Sequence, residues 1–268
     1  MSVAEAFNDD MSTSSTLSLN NTHDNYGNND TNLFVDLELP SHQHIQLSYG
    51  KSIANDDLSN TRQIGIGVST DPYDTFSLGS ELSYWGNSEF LESRTFRSDL
   101  TINLENWSVS LSPQLSVITV YLNLTAISQY DIYALGNDIT LSYFGLSDYI
   151  FSASYFVNHY GDSPFDQADP RLRARIFNQI PLTTRQLAQS LENNRTHLSV
   201  VKLYNWGSLG LDWSHSNFAF IDSATSTTLT ADYNINKTIG IGLGYGLQTS
   251  SENNSNSSFI NTTLYLSW

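Results

Sequence analysis

Along much of the chain, apolar residues alternate with small or polar ones. Ile64-Gly65-Ile66-Gly67-Val68 sets the pattern. Phe76, Leu78, Leu82 and Tyr84 alternate with Ser77, Gly79, Glu81 and Ser83; Phe96, Leu100, Ile102 and Leu104 alternate with Arg97, Asp99, Thr101 and Asn103. Near the C-terminus, Ile239, Ile241, Leu243, Tyr245 and Leu247 alternate with Gly240, Gly242, Gly244 and Gly246. Successive side chains of a strand point to opposite faces, so each run has one apolar face and one small or polar face. Two architectures produce that pattern. In a soluble sheet the apolar face meets a second apolar layer. In a membrane barrel it meets lipid, and the other face lines a lumen.

The connections discriminate between them. Pro40–Gln43, Thr70–Asp74, Glu105-Asn106, Gly145–Asp148, Asn205–Gly207 and Asn234–Lys237 are tight and rich in turn formers. Between them come longer polar stretches: Asn21–Asp30, Ser52–Thr61, Gly86–Arg94, residues 160–195, Ser216–Ser226 and Gln248–Ser257. Short and long alternate, as in a barrel with short turns on one rim and loops on the other. The predicted strands are 12–20, 31–39, 44–51, 62–69, 75–85, 95–104, 107–118, 131–144, 149–158, 196–204, 208–215, 226–234, 238–248 and 258–268. The first rests on Leu17 and Leu19 and is retained because an even count brings both termini to one rim. At Ser116–Tyr130, Val117-Ile118-Thr119-Val120 breaks the alternation, which leaves 12 strands as the alternative to 14. The expected fold is all-β, a transmembrane antiparallel up-and-down β-barrel over residues 12–268, with an N-terminal extension 1–11 and a long loop 160–195.

The last strand adds a motif. Thr262, Leu264, Leu266 and Trp268 alternate and end on an aromatic residue. This resembles the C-terminal assembly signal of bacterial outer-membrane β-barrel proteins. The resemblance implies insertion by the barrel assembly machinery, contact with outer-membrane lipid and an outer-membrane location. Tyr49, Tyr84, Trp107, Tyr143, Tyr149, Tyr204, Trp206, Tyr233 and Trp268 fall at predicted strand ends, where aromatic girdles belong.

Composition narrows the functional classes. The 268 residues carry 11 Lys+Arg against 27 Asp+Glu, a net charge of −16, which argues against a nucleic-acid partner. There is no Cys, hence no disulfide scaffold or thiolate site. No run of eighteen apolar residues suggests a membrane helix. The opening Met1–Asp10 lacks the basic and apolar regions of a signal peptide, so a signal is expected to have been removed.

One connection stands apart. Residues 168–195 hold Arg171, Arg173, Arg175, Arg185 and Arg195 against only Asp169 and Glu192, a net charge of +3 that leaves −19 elsewhere. Pro181 followed by Leu182, Leu187 and Leu191 predicts a short helix there. Loops this long are usually functional or disordered. If this one folds into the barrel mouth, its arginines would meet Glu81, Asp99, Asp212 and Asp232, all on the small-residue faces of their strands. The glycine face of 238–248 would then give room for a plug, or form a smooth pore wall.

Catalytic signals are weak. His159, Asp162, Asp212 and His215 lie toward the outer rim, where outer-membrane proteases activate water, yet no local protease or lipase motif is present and Asp212 and His215 have opposite strand parity. Asp24 to Asp30 spaces oxygen ligands closely but lacks the later Glu of an EF-hand. No enzyme activity, metal or cofactor is expected. The leading expectation is a channel passing small polar solutes, constricted by the arginine loop. The alternative is a structural or interaction barrel that anchors or completes a multi-protein envelope or export complex.

Overall fold

The computed structural model describes residues 15–39, 42–53, 60–73, 75–87, 91–124, 127–161, 192–218, 223–251 and 256–268. They form β1 (Thr16–Asp24), β2 (Asn29–Leu39), β3 (Gln43–Ile53), β4 (Thr61–Tyr73), β5 (Phe76–Asn87), β6 (Leu91–Asn103) and β7 (Trp107–Leu124). They continue as β8 (Ile127–Leu146), β9 (Tyr149–Tyr160), β10 (Glu192–Tyr204), β11 (Gly207–Phe218), β12 (Ser223–Asn234), β13 (Ile239–Ser250) and β14 (Asn256–Ser267). Each strand pairs antiparallel with its sequence neighbours, and β1 pairs with β14 from Thr16↔Ser267 to Asp24↔Phe259, closing the sheet. Ser15 and Trp268 exchange backbone hydrogen bonds of 3.0 and 3.1 Å at the seam. Closure leaves no unpaired edge, which a strand in lipid requires.

The alternation puts the apolar face outward. Leu82, Leu229, Leu243 and Ile260 are each 58–59% exposed, which decides against a soluble sandwich, where a second layer would cover them. Aromatic rings collect at the short-turn rim. Trp107 and Tyr143 lie 4.6 Å apart and Tyr204 stacks on Trp206 at 5.1 Å. Lys202 Nζ sits 5.3 Å from the Tyr149 ring and 5.0 Å from that of Tyr204. Tyr49, Tyr133, Tyr155 and Tyr245 are exposed toward the opposite rim.

Strand boundaries differ from expectation mainly at the long-loop rim, where strands run on. β1 runs from Thr16 to Asp24, past its expected end at 20, and the connection to β2 shrinks to Asn25–Asn28, while residues 12–14 of the expected strand lie outside the described residues. Asp24 caps this turn: its Oδ1 accepts from the backbone N–H of Tyr26 and Asn28, both at 2.9 Å, and its Oδ2 from Asn28 Nδ2 at 2.7 Å. The stretch 116–130 is the outer part of the two longest strands, β7 (18 residues) and β8 (20 residues), so the count is 14. The alternation breaks there because the polarity of the two faces inverts. On the lumen side Ile118, Val120 and Ile132 are buried beside Leu91. On the outside, Thr119 donates to Asp131 at 2.7 Å and Arg94 Nη2 lies 2.6 Å from Glu92. Polar side chains on the outer surface mark where this hairpin rises above lipid into water.

Candidate functional site

The lumen wall is built by the inward residue of every pair along the strands. From β12 through β14 and β1 it is made largely of Gly, Ser, Thr and Asn, and on β2 and β3 it gains the inward acids Asp36 and Glu38, with His44 Nδ1 3.0 Å from Asp36 Oδ1. Asn20 Nδ2 donates to Asn261 Oδ1 at 3.2 Å and to Thr263 Oγ1 at 3.0 Å across the β1–β14 seam. The glycines of β13 are not a bare wall: a Cβ at Gly240 would run into the Tyr265 ring, and one at Gly246 into Phe259. Both rings come from β14 and lie over the glycines, covering backbone that has no side chain of its own.

The opposite wall carries charge. On β6, Arg97 donates from Nε to Asp99 Oδ1 at 2.8 Å and from Nη2 to Ser112 Oγ at 2.9 Å, and Ser112 donates to Asp99 in turn. Glu81 lies directly opposite Arg97 in the β5–β6 register. Pro113 explains why side chains join here. It has no N–H to give the ladder, and the β6–β7 pairing lapses between Arg97↔Gln114 and Leu100↔Leu111. Asp99 and Ser112 bridge that gap on the lumen side.

A second group sits nearer the outer mouth. Arg195 Nη1 lies 3.3 Å from Glu192 Oε2 and Nη2 lies 3.5 Å from Asp138 Oδ2, with the guanidinium 5.6 Å from the centre of the Phe156 ring. Glu192 is only 5% exposed. A cavity of about 240 Å³ opens between this group and Arg97, with Trp85, Gln114 and Asn158 among its walls. Around the mouth the buried apolar residues of the barrel gather on the lumen face, among them Trp85, Leu91, Ile118, Ile132 and Phe218.

The four acids singled out from sequence all face the lumen, but they do not form one cluster. Glu81 and Asp99 flank Arg97. Asp212 Oδ1 is 3.3 Å from His197 Nε2, and Asp232 accepts from Ser208 Oγ at 2.9 Å near the inner rim. Arg171, Arg173, Arg175 and Arg185 lie outside the described residues, as does the expected helix after Pro181. Arg195 and Glu192, counted with the loop by sequence, are strand residues of β10. The rim histidines do not converge with the acids. His215 faces outward, with Nδ1 2.9 Å from Thr225 Oγ1 and its ring stacked on Trp213; His159 is exposed; Asp162 is outside the described residues. Of the assembly-signal positions, Leu264 and Trp268 are exposed and Thr262 and Leu266 share their outward parity. Sequence reasoning put Arg97 on the polar face of its strand without singling it out, and missed Asp138, Asn158 and His197 as lumen residues, although strand parity alone places each of them inward.

A closed barrel of fourteen strands with an apolar outer belt, aromatic rims and a polar lumen is a membrane-spanning β-barrel of the bacterial outer-membrane type. No family model matches the sequence, and no curated protein matches it. Among solved structures the chain is similar to the CymD monoaromatic hydrocarbon channel, with a TM-score of 0.58 and 8% identity over 96% of this chain and 88% of that one. It is also similar to a FadL homologue from Pseudomonas aeruginosa (TM-score 0.54, 9% identity, 95% and 89% of the two chains). A loop-deleted OmpT, an outer membrane protein of Vibrio cholerae, gives a TM-score of 0.51 at 8% identity, covering 96% and 99%. At such identities the likeness is one of fold.

Proposed function

We propose that the protein is an outer-membrane channel for small polar solutes, with a preference for cations. The observation that carries this reading is the lumen wall itself, which below the apolar outer mouth is lined mainly by hydroxyls, amides and charged groups, in a barrel of fourteen strands. Eight strands leave an interior that side chains fill, and sixteen to eighteen leave an aqueous channel. The inward acids Asp36, Glu38, Glu81, Asp99, Asp138, Glu192, Asp212 and Asp232 outnumber the inward arginines Arg97 and Arg195. Such a lumen concentrates cations and repels anions. The arginine-rich connection between β9 and β10 constricts the outer mouth in this reading, drawn by that negative wall.

The test is conductance in a planar bilayer. The full chain is expected to give discrete channels whose reversal potential in a KCl gradient favours K⁺. Deleting residues 165–190, which spares Glu192 and the rest of β10, is expected to raise conductance while the barrel still inserts. Silent bilayers from folded protein would refute the channel. The apolar residues crowding the outer mouth favour a second reading, a structural barrel completing an envelope assembly. In that case neither the full chain nor the deletion conducts, and envelope proteins copurify with the full chain but not with the deletion.

A further inference from the structure

We infer that the outer surface of β3 to β6 binds a phosphate-bearing lipid of the outer leaflet, with its headgroup on Lys51, Arg62 and Arg94 and its acyl chains on the apolar surface below. Each cation shares the outward parity of an exposed residue two positions nearer the membrane centre: Tyr49 at 47%, Ile64 at 53% and Phe96 at 46%. All three cations are themselves exposed. They also stand level. Lys51 is eight residues from Gln43 at the inner end of β3, Arg62 is eight from Thr70, which pairs with Gln43, and Arg94 is nine from Asn103 at the inner end of β6. At roughly 2.5 Å of height per residue they lie about 20 Å above those ends, near the outer edge of an apolar band about 25 Å tall. This is where the outward surface changes from apolar to polar, the depth at which cationic side chains reach lipid headgroups.

The placement of charge is selective. The chain carries a net charge of −16. Among the described residues, Arg97 and Arg195 face the lumen, Lys202 and Lys237 lie at the inner rim, and every other Lys or Arg belongs to this stripe. Lys51 and Arg62 are direct partners in the β3–β4 register. Like charges facing each other across a ladder are destabilising, and an anion shared between them removes that cost. Glu92, the nearest described acid on this surface, is engaged elsewhere: Arg94 Nη2 lies 2.6 Å from its Oε1, and Tyr84 Oη donates to its Oε2 at 3.3 Å. Glu92 thereby fixes Arg94, whose side chain stays 68% exposed and offers its remaining N–H groups outward. Asp131 stands two strands beyond β6 and accepts from Thr119. From β3 to β6 the stripe spans roughly 14 Å at about 4.8 Å per strand, which suits a headgroup bearing more than one phosphate.

A second feature of the same strands identifies the ligand as an amphiphile. Below the stripe, the lipid-facing surface carries a groove of about 710 Å³ with Leu78, Leu100 and Leu111 among its walls. Ser80, Ser98 and Pro113 give it depth, because they hold outward positions that neighbouring rows fill with larger side chains; Ser80 pairs with Ser98, and Pro113 follows on β7. Ser80 is four residues above Phe76 and Ser98 five above Asn103, so this end of the groove lies roughly 10 Å below the cations. An acyl chain crossing half of a hydrocarbon core about 30 Å thick reaches it. A free phosphate would use the cations and leave the groove; a lipid uses both. The inference is independent of whether the barrel conducts.

The experiment is native mass spectrometry of the purified full chain in detergent, with chelator present, titrated with lipid A carrying two phosphates and with the same lipid after enzymatic dephosphorylation. The phosphorylated lipid is expected to bind at least about tenfold more tightly, and the double variant Lys51→Gln, Arg62→Gln to lose that preference. Lys202→Gln, at the other rim, should leave binding unchanged. Ser98→Leu fills the groove without touching a cation and should weaken binding several-fold. Excess inorganic pyrophosphate should not displace the lipid. Heat-modifiable migration on gels identifies folded variants, and if the double variant does not fold, Lys51→Gln alone carries the comparison. The adjoining connections contain Asp56, Asp57 and Glu89; if these neutralise the stripe, the two lipids bind equally and the site is overturned. Equal losses from the double variant and Lys202→Gln, wild-type affinity in Ser98→Leu, or displacement by pyrophosphate overturn it as well.

Discussion

Leu243 offers a quantitative test of the barrel's orientation in the membrane. A strand rises about 3.3 Å per residue and tilts by about 40°, so each residue adds roughly 2.5 Å of height. The outward apolar residues of β13 run from Ile239 to Leu247, a span of about 20 Å within an apolar band about 25 Å tall. Leu243 is the middle one and is 58% exposed to lipid. Leu243→Arg therefore puts a guanidinium near the midplane and should destabilise the barrel by about 2–4 kcal/mol, while Leu247→Arg, nearer the interface, should cost about 0–1 kcal/mol. Gly242→Ser points into the lumen, where the new Cβ lies 2.5 Å from Asp232 Oδ1. That carboxylate ends a side chain that can swing away, so the cost should stay below about 1 kcal/mol. The assay is reversible unfolding in guanidinium chloride from lipid vesicles. With a slope of roughly 5 kcal/mol per molar, Leu243→Arg lowers the midpoint by about half a molar. Equal losses at Leu243 and Leu247 would refute the placement of the midplane. Equal losses at Leu243 and Gly242 would mean that the faces are reversed.

The ring-covered glycines give a second series: Gly240→Ala must displace the Tyr265 ring and should cost about 1–3 kcal/mol, whereas Gly244→Ala, whose Cβ would make contacts of 3.4–3.6 Å, should be close to neutral, measured by the same unfolding assay. Deleting Trp268 removes an exposed rim ring and the backbone bonds to Ser15; outer-membrane levels in fractionated cells should fall far below those of a change in the Asn25–Asn28 turn, and normal levels would dismiss the terminal aromatic as an assembly signal. Arg97→Ala leaves Glu81 and Asp99 uncompensated on the lumen wall and should move the reversal potential further toward the cation value; a shift toward the anion value would contradict the charge placement. In detergent the purified protein should give a β-sheet circular dichroism spectrum and migrate differently before and after boiling, because a closed ladder resists detergent until heated.

Sequence alone determined which way side chains point. The alternation at 64–68 and 239–247, the tight turns and the terminal Leu264-Tyr265-Leu266-Ser267-Trp268 were enough for the barrel, its lipid face and the inward direction of Glu81, Asp99, Asp212 and Asp232. This information is local, because a strand's two-residue period follows from backbone geometry and each face meets a single kind of solvent. The same rule failed at Val117–Val120, where the outer solvent changes from lipid to water and the period of polarity changes with it. What only the tertiary structure decided is which inward residues share a height. Asp138, Asn158 and Arg195 come from three strands and meet through the registers Asp138↔Phe156, Gly136↔Asn158 and Phe156↔Arg195. The lapse at Pro113 and the rings of Tyr265 and Phe259 over Gly240 and Gly246 depend in the same way on cross-strand register. Register and stagger belong to the closed sheet as a whole, so no stretch of chain read by itself contains them.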